Sequence, residues 1–207
     1  MNKNTYAYEI GGSLYLNITN RCTNSCEFCI RQLTPGLNGY YLWLDKEPEF
    51  TEVMEAIEEV SGSRNTGVPI QVKYSEVVFC GYGEPLLRPE LVVQIARELK
   101  KQNVSIRINT NGQGDLACGY SIAPLLSGLV DAVSVSLNAP DSGQYIAMCK
   151  PEYGEKAFQA MLDFTKSCRE HIPEVYLSVV RQPGLDINKC REIADNLQVK
   201  FKIREYN

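Results

Sequence analysis

The chain has 207 residues, of which 44% are apolar and 22% are charged, and its net charge is −4. This balance is typical of a globular protein, whereas an acidic net charge without a basic tract gives no direct signal of nucleic-acid binding. No apolar run has the length of a membrane span and the first residues lack a signal-peptide pattern, so we predict a cytoplasmic protein without a membrane partner.

Predicted strands and helices alternate along the chain. A hairpin is predicted over 6–19, where two apolar runs flank Gly11 and Gly12. A cysteine-rich segment follows, and residues 61–67 are predicted to form a loop. The remaining predicted elements are a helix over 49–60, a strand over 76–81, a helix from Pro89 to about 102, a strand over 104–112, a short helix near 121–128, a strand over 131–140, a helix over 154–170, a strand over 174–180, a helix capped by Asp186, and a strand over 199–205.

Alternating strands and helices predict βα units around a parallel sheet. Six such units indicate an α/β fold, an incomplete (βα)6 TIM-like barrel that is open on one side and carries the hairpin as an N-terminal extension. Lys200 and Lys202 alternate with apolar residues in the last predicted strand, which is typical of a protected sheet edge. We expect residues 1–207 to form a single core domain.

Three cysteines, Cys22, Cys26 and Cys29, follow the hairpin with the spacing C-x3-C-x2-C. Loops at the carboxyl ends of parallel strands build functional sites, and grouped thiolates bind iron–sulfur clusters, zinc or copper(I). Closed zinc sites and cysteine-ligated [4Fe–4S] clusters usually have four protein ligands. Three cysteines therefore indicate an iron left open for another ligand. The alternative is a zinc knuckle completed by a distant cysteine or by His171.

The segment Cys22-Thr-Asn-Ser-Cys26-Glu-Phe28-Cys29 resembles the signature of radical S-adenosylmethionine (SAM) enzymes. This resemblance implies that the three cysteines bind a [4Fe–4S] cluster and that the methionine part of SAM ligates the open iron. It also implies that Phe28 lies near the adenine of SAM, whereas local packing is the alternative for this side chain.

A second segment, "FCGYGEPLL" over 79–87, resembles the Gly-Gly-Glu motif with which this family holds the amino group of SAM. Gly83 and Glu84 match the motif, and Tyr82 stands where the family has its first glycine. The resemblance assigns SAM contacts to Gly81, Tyr82, Gly83 and Glu84, with backbone carbonyls available where a side chain differs. The alternative is an ordinary turn with Gly83 at positive φ.

Two later strands are predicted to end in polar residues, which must find partners where they are buried. The resemblance places Asn109, Ser136 and Asn138 against bound SAM. Hydrogen bonds among the strand ends are the alternative. Arg181 or Arg204 is expected to pair with a carboxylate of SAM or substrate, or else to form a surface ion pair.

The segment over 36–45 contains Tyr40, Tyr41 and Trp43. It is expected either to cover the cluster against solvent and oxygen or to pack into the core as a set of aromatic anchors.

The resemblance implies a radical SAM enzyme in which a reduced cluster cleaves SAM to methionine and a 5′-deoxyadenosyl radical, and the radical abstracts hydrogen from a substrate. The sequence does not identify that substrate, which is a small molecule or a protein or peptide. The implied electron donor is a flavodoxin or a ferredoxin.

Within the family, "GYYLWL", "GYGEP" and "SVSLNAP" resemble the TatD-associated radical SAM proteins most closely. The alternatives are an activase of glycyl-radical enzymes, a 7-carboxy-7-deazaguanine synthase-like enzyme, and a non-enzymatic iron–sulfur or zinc protein.

Overall fold

The structure is a computed structural model that describes residues 4–63, 67 and 69–205. The chain forms two compact units. One contains the residues up to Cys22 together with Ile30–Ile108, and the other contains Thr23–Cys29 together with the residues from Asn109 onward. The prediction of one core domain over residues 1–207 stays a prediction.

The first unit contains a hairpin and the beginning of a parallel sheet. Its strands are β1 (Ala7–Ile10), β2 (Ser13–Leu16), β3 (Gly36–Leu37), β4 (Tyr40–Tyr41), β5 (Val77–Phe79) and the start of β6 (Ile106–Thr110). Its helices are α1 (Ile30–Leu33), α2 (Phe50–Ser61), α3 (Ile70–Lys73), a 3-10 turn (Pro85–Leu87) and α4 (Pro89–Lys100). β1 and β2 pair antiparallel, and β2, β5 and β6 are parallel neighbours in that order.

The second unit contains the end of β6 and three further parallel strands. Its other strands are β7 (Ala132–Ser136), β8 (Glu174–Val180) and β9 (Lys200–Arg204). Its helices are α5 (Gly114–Cys118), α6 (Ala123–Leu126), α7 (Ser142–Cys149), α8 (Lys156–His171) and α9 (Ile187–Asn196). β7, β8 and β9 are parallel neighbours, and β9 ends the strand order, as its lysines predicted.

The predicted α/β class with an N-terminal β-hairpin is confirmed, because every strand pair of the main sheet with a described register is parallel apart from β1–β2. Continuous apolar runs form the inner strands, and all residues of β5 are fully buried. Strands buried on both faces are the expected centre of a parallel sheet. This rigid frame holds the loops that follow the carboxyl ends of the strands.

Helix ends follow local capping chemistry. The backbone N–H of Glu49 donates to the Glu52 carboxylate over 2.8 Å where α2 begins, and Gly62 ends α2 with a φ of 71°. Asp141 caps α7 by accepting from the backbone N–H of Gln144 over 2.8 Å. Asp186 caps α9 as predicted.

Several short elements were absent from the prediction, namely α1, α3, α5, α7 and the β3–β4 hairpin. Helices of four or five residues and strands of two carry too little periodicity to be recognised, and the eight-residue α7 spans little more than two turns. The predicted loop over 61–67 begins with the end of α2 and its cap Gly62, and residues 64–66 lie outside the described residues. Of the helices in the described part of the chain, none has the length and apolar character needed to cross a membrane.

Candidate functional site

The three motif cysteines lie on the chain that leaves β2. Cys22 is the last residue of its stretch of the first unit, and Cys26 and Cys29 belong to the second unit. All three are partly exposed. The backbone N–H of Cys29 donates to the carbonyl of Cys26 over 3.1 Å, which closes a turn between these two ligand candidates. All eight cysteines of the chain lie in described residues, and none forms a disulfide.

In the first unit, the "GYGEP" loop (residues 81–85) lies against the chain that leads to Cys22. The backbone N–H of Glu84 donates to the carbonyl of Arg21 over 2.7 Å. The Arg31 guanidinium bridges the two segments, because it donates to the carbonyl of Asn20 over 3.3 Å and to that of Tyr82 over 3.2 Å. The loop of the second motif is therefore fixed directly beside the first cysteine.

Two glycines of this loop are required by close approach. A Cβ at Gly83 would lie 2.2 Å from the Thr19 carbonyl oxygen and 2.6 Å from that of Arg21. A Cβ at Gly81 would lie 2.0 Å from Oδ1 of Asn17. Neither glycine has a positive φ, so the alternative prediction of a turn with Gly83 at positive φ is wrong. Glycine is required at position 83 because the backbone lies against two backbone carbonyls, and at position 81 because the Asn17 side chain occupies the space of a Cβ atom.

We expect Gly83→Ala to destabilise the protein by about 1–3 kcal/mol, because the added methyl group must displace two backbone carbonyls. Urea unfolding measures this loss. The matched control is Gly143→Ala in α7, where the nearest atom to a new Cβ lies 3.4 Å away and no stability loss is expected. Equal stability of the two variants would contradict the close-approach explanation.

Tyr82, which departs from the family pattern, has its own place in the core. Its side chain is 4% exposed, and its hydroxyl donates to the Thr34 carbonyl over 2.6 Å. Its ring packs edge-to-face on Trp43 with 5.3 Å between the centroids. Its backbone N–H donates to Oδ1 of the fully buried Asn17 over 3.3 Å. The backbone of residue 82 therefore stays in the loop while the side chain points into an apolar cluster.

This aromatic cluster occupies part of the first unit. Its buried members are Tyr8, Leu42 and Tyr82, and the partly buried residues packed on it are Ile10, Tyr15, Ile30, Leu37, Tyr40 and Trp43. Tyr40 and Trp43 of the segment over 36–45 thus pack as aromatic anchors, which was one of its two predicted roles, whereas Tyr41 is 46% exposed and lies outside the cluster. The cluster reaches Ile30, the residue next to Cys29.

Glu84 is 3% exposed, and its carboxylate accepts from the backbone N–H of Leu86 over 3.0 Å. This contact caps the 3-10 turn that follows the loop. A nearly buried carboxylate that is held in place by the backbone N–H of Leu86 is a strong acceptor for a cationic ligand group.

A polar network anchors the segment before Cys22. Thr19 donates its hydroxyl proton to the Glu47 carboxylate, and Arg21 donates to both oxygens of Glu47 over 2.9 and 3.3 Å. Burial raises the pKa of Glu47, but the hydrogen bonds from Arg21 and Thr19 and the charges of Arg21 and Arg88 outweigh it, so the net pKa lies below its usual value. The ionised carboxylate therefore stabilises this segment.

We expect Glu47→Gln to lower the free energy of unfolding by about 1 kcal/mol at neutral pH, since partial exposure screens the ion pairs. A group with a lowered pKa in the folded state stabilises above its unfolded pKa and loses that contribution as pH falls through the folded value. The difference from the wild type should therefore shrink below about pH 4.5, the ordinary value for this carboxyl. Urea unfolding across acidic pH tests this prediction, with the exposed Glu192→Gln as the control. A difference that grows on acidification would contradict it.

In the second unit, the backbone of the cysteine loop pairs with the end of α7. Ser25 N–H donates to the Cys149 carbonyl over 2.9 Å, and Glu27 N–H donates to that of Met148 over 3.1 Å. In the opposite direction, the N–H of Glu152, which follows α7, donates to the Thr23 carbonyl of the loop over 2.7 Å. These three bonds form a short ladder that fixes residues 23–27.

Buried side chains reinforce the same loop. Asn24 donates to the Tyr145 hydroxyl over 3.0 Å, and Gln113 donates to that hydroxyl over 2.9 Å and to Oδ1 of Asn24 over 2.7 Å. Asn111 donates to the Thr23 hydroxyl over 2.8 Å. Burial raises the pKa of Tyr145 and electrostatic interaction with Cys149 and Cys26 adds to this effect, so the hydroxyl stays neutral.

The polar residues at the strand ends of the second unit have partners within it. Ser136 accepts from the Arg204 guanidinium over 3.2 Å, and Oδ1 of Asn138 accepts from the Val180 N–H over 3.1 Å. Asn138 is buried with a φ of 55°. Asn109 is partly exposed. The contacts of Ser136 and Asn138 are hydrogen bonds of the kind predicted as the alternative to SAM binding, and these two side chains keep donor capacity for a ligand.

Arg181 forms an ion pair with Glu205 over 3.1 Å, and both side chains are more than half exposed. This contact is the surface ion pair that was the alternative for this residue. Phe28 is partly exposed between Cys26 and Cys29.

The donor set is three cysteines on one short stretch, and all three are partly exposed. Thiolates are the protein ligands of iron–sulfur clusters, and each cysteine of a cubane cluster binds a different iron atom. The residues present are therefore the donor type that such a cluster takes. Among the described residues, no group of three or more His, Cys, Asp or Glu side chains is placed to hold a single metal ion.

No motif in the sequence marks the residues that support the cysteine loop. Gln113 and Tyr145 are fully buried, and Gln113 lies beside predicted polar strand ends without having been singled out. The signal for α7, which carries Tyr145, was Asp141 followed three residues later by Gln144, a typical helix start.

The fold and the two motif loops together define a class of protein. The model of the radical SAM superfamily matches residues 16–197. The chain therefore belongs to the radical SAM superfamily. The family uses a [4Fe–4S] cluster and SAM, so the predicted cofactors are confirmed as those of the family.

One curated relative is the tungsten-containing aldehyde ferredoxin oxidoreductase cofactor-modifying protein of Pyrococcus furiosus. It is 29% identical to the chain over 104 residues, which cover 48% of this chain and 23% of the relative. The chain thus spans only a minor part of the length of this relative.

Solved structures show the fold. Streptococcus suis SuiB bound to SAM has a TM-score of 0.63 at 15% identity, over 95% of this chain and 41% of SuiB, and SuiB bound to the precursor peptide SuiA gives 0.65 at 14% identity, over 97% and 40%. The methyltransferase TsrM of Kitasatospora setae with cobalamin and a [4Fe–4S] cluster has a TM-score of 0.55 at 14% identity, over 94% of this chain and 36% of TsrM. These likenesses agree with the predicted incomplete TIM-like barrel.

Proposed function

We propose that the chain binds a [4Fe–4S] cluster through Cys22, Cys26 and Cys29 and uses it to cleave SAM reductively. When bound, the cluster supplies the electron that breaks a carbon–sulfur bond of SAM and generates a 5′-deoxyadenosyl radical for hydrogen abstraction. The observation that carries this proposal is the "GYGEP" loop, which is hydrogen-bonded to Arg21, the residue before Cys22. A SAM-binding loop fixed beside a cluster ligand would orient the cofactor toward the cluster.

The backbone of residues 81–84 is the proposed contact for the amino group of SAM. Close packing of Gly81 and Gly83 leaves that backbone without intervening side chains, and Tyr82 points into the aromatic cluster. Its carbonyl already accepts from Arg31 and has a second lone pair. The departure from Gly-Gly-Glu is therefore compatible with a SAM contact made by the backbone.

Asn109, Ser136 and Asn138 are proposed to bind other parts of SAM, and Phe28 to lie near the adenine. Ser136 accepts from Arg204 and retains its hydroxyl proton, and Asn138 retains its amide protons. Such groups suit the ribose hydroxyls and the carboxylate of SAM.

A peptide is the substrate class favoured by comparison, because SuiB has been solved with its precursor peptide. A small molecule is the second candidate. The TatD-associated resemblance, the cytoplasmic location and a flavodoxin or ferredoxin as electron donor remain predictions.

The proposal is tested by electron paramagnetic resonance of the protein after anaerobic cluster reconstitution and reduction with dithionite. We expect the signal of a reduced [4Fe–4S] cluster, and we expect SAM to change it, because only a cluster with an open iron gains a ligand. If the protein binds a full cluster and SAM leaves its resonance signal unchanged, the alternative of a non-enzymatic iron–sulfur protein is favoured.

A further inference from the structure

The cysteine loop is held by groups that belong to neither motif. Residues 23–27 form three backbone hydrogen bonds with residues 148–152, and Lys150 pairs with Glu27 over 2.8 Å. The ion pair is exposed on both sides and contributes little. The backbone ladder fixes the path of the loop, but it does not select among side-chain arrangements near the thiols.

One buried hydroxyl is hydrogen-bonded to a side chain of this loop. Tyr145 is 0% exposed, and its oxygen accepts from both Asn24, which lies between the first two cysteines, and Gln113, which follows β6. Asn24 and Gln113 are also hydrogen-bonded to each other, so the three side chains form a closed triangle. Gln113 is fully buried, and no described residue donates to its Oε1 atom. Buried networks of this kind are rigid, because breaking one bond leaves polar groups without water.

The ring of Tyr145 is fixed independently of its hydroxyl. It packs on Phe158 with 5.6 Å between the ring centroids, and α7 is capped by Asp141. The hydroxyl is therefore presented by a rigid helix to a loop that has no regular secondary structure. In metal sites, groups outside the ligand set hydrogen-bond to the ligands or their supports and fix their orientation. The Tyr145 hydroxyl is placed to do the same for the loop that carries the cysteines.

We propose that Tyr145, through Asn24 and Gln113, is a positioning residue that fixes the cysteine loop in the arrangement that holds the cluster. The proposal rests on the proposed function, since it concerns the same cluster. Tyr145 acts through Asn24 and does not itself bind iron.

The test compares Tyr145→Phe with the wild type. The variant keeps the ring and loses only the hydroxyl, which accepts from the side-chain amides of Asn24 and Gln113. After anaerobic reconstitution, we measure the rate at which a ferrous chelator removes iron from each protein. We expect removal to be about 10- to 100-fold faster from the variant, which is the usual effect of losing an outer-shell partner. We also expect a broadened paramagnetic resonance signal, because the loop samples more than one arrangement.

The matched control is Tyr176→Phe, which removes a tyrosine hydroxyl that donates to Glu174 over 2.5 Å on β8. It should leave iron release and the resonance signal unchanged. In a double-mutant cycle, Asn24→Ala combined with Tyr145→Phe should release iron no faster than the quicker single variant, because both remove the same triangle. Should Tyr145→Phe fail to fold, Asn24→Ala alone is compared with the wild type.

Two outcomes overturn the positioning role. One is a Tyr145→Phe variant that is less stable in urea but matches the wild type in iron release and signal, which indicates structural packing alone. The other is full additivity in the cycle. A wild-type cluster that does not respond to SAM contradicts the proposed function instead, and a wild type that binds no cluster contradicts both.

Discussion

Alanine in place of Cys26 is expected to reduce the iron and sulfide bound after reconstitution from about four atoms of each per chain to a small fraction. Cys26 lies in the middle of the motif, and its loop is fixed by the Asn24–Tyr145–Gln113 triangle and by the ladder to residues 148–152. Two remaining thiolates cannot hold a cubane cluster that already has one open iron. Colorimetric iron and sulfide determination on the purified proteins measures the loss.

Cys190→Ala is the control for removal of a thiol. Cys190 is fully buried on α9, and burial raises its pKa to about 11, so it remains a protonated core residue at neutral pH. This variant should bind as much iron and sulfide as the wild type. If Cys26→Ala binds as much iron and sulfide as the wild type, or if both variants lose them equally, Cys26 is not a specific ligand of the cluster.

Tyr82→Gly is expected to destabilise the protein by about 3–5 kcal/mol, although it restores the family's Gly-Gly-Glu pattern. The mutation removes a buried ring from the aromatic cluster, ends its contact with Trp43 and leaves the Thr34 carbonyl without its donor. The free energy of unfolding in urea gives the magnitude.

Tyr82→Phe separates the two contributions, because it keeps the ring and loses only the hydroxyl. It should cost about 1 kcal/mol. If Tyr82→Gly is as stable as the wild type, the side chain has no structural role and this departure from the family pattern is unexplained by packing.

The long elements of the fold were predictable because their apolar periodicity is strong. The helix predicted over 154–170 is α8 (Lys156–His171), and the strand predicted over 174–180 is β8 with the same bounds. Strand ends were less predictable. The strand predicted over 131–140 ends at Ser136. Two residues later Asn138 has a positive φ, which is incompatible with a continued strand.

The site was predictable only where a motif marks it. The cysteines and the "GYGEP" loop could be read from their spacing, but the reason for Gly83 could not, because its close approach to Thr19 joins residues far apart in the sequence. The contact of Tyr145 with the cysteine loop was unpredictable for the same reason, since Tyr145 and Asn24 are neighbours only in the folded chain. Contacts between distant residues leave no local pattern.

Production of 5′-deoxyadenosine is the decisive measurement of reductive SAM cleavage by this chain. The reconstituted protein is reduced with dithionite without oxygen, mixed with SAM, and assayed by mass spectrometry beside Cys26→Ala. We expect 5′-deoxyadenosine and methionine in equal amounts from the wild type and neither above background from the variant. Equal product from both proteins, or none from a fully loaded wild type across added peptides and small molecules, would contradict it.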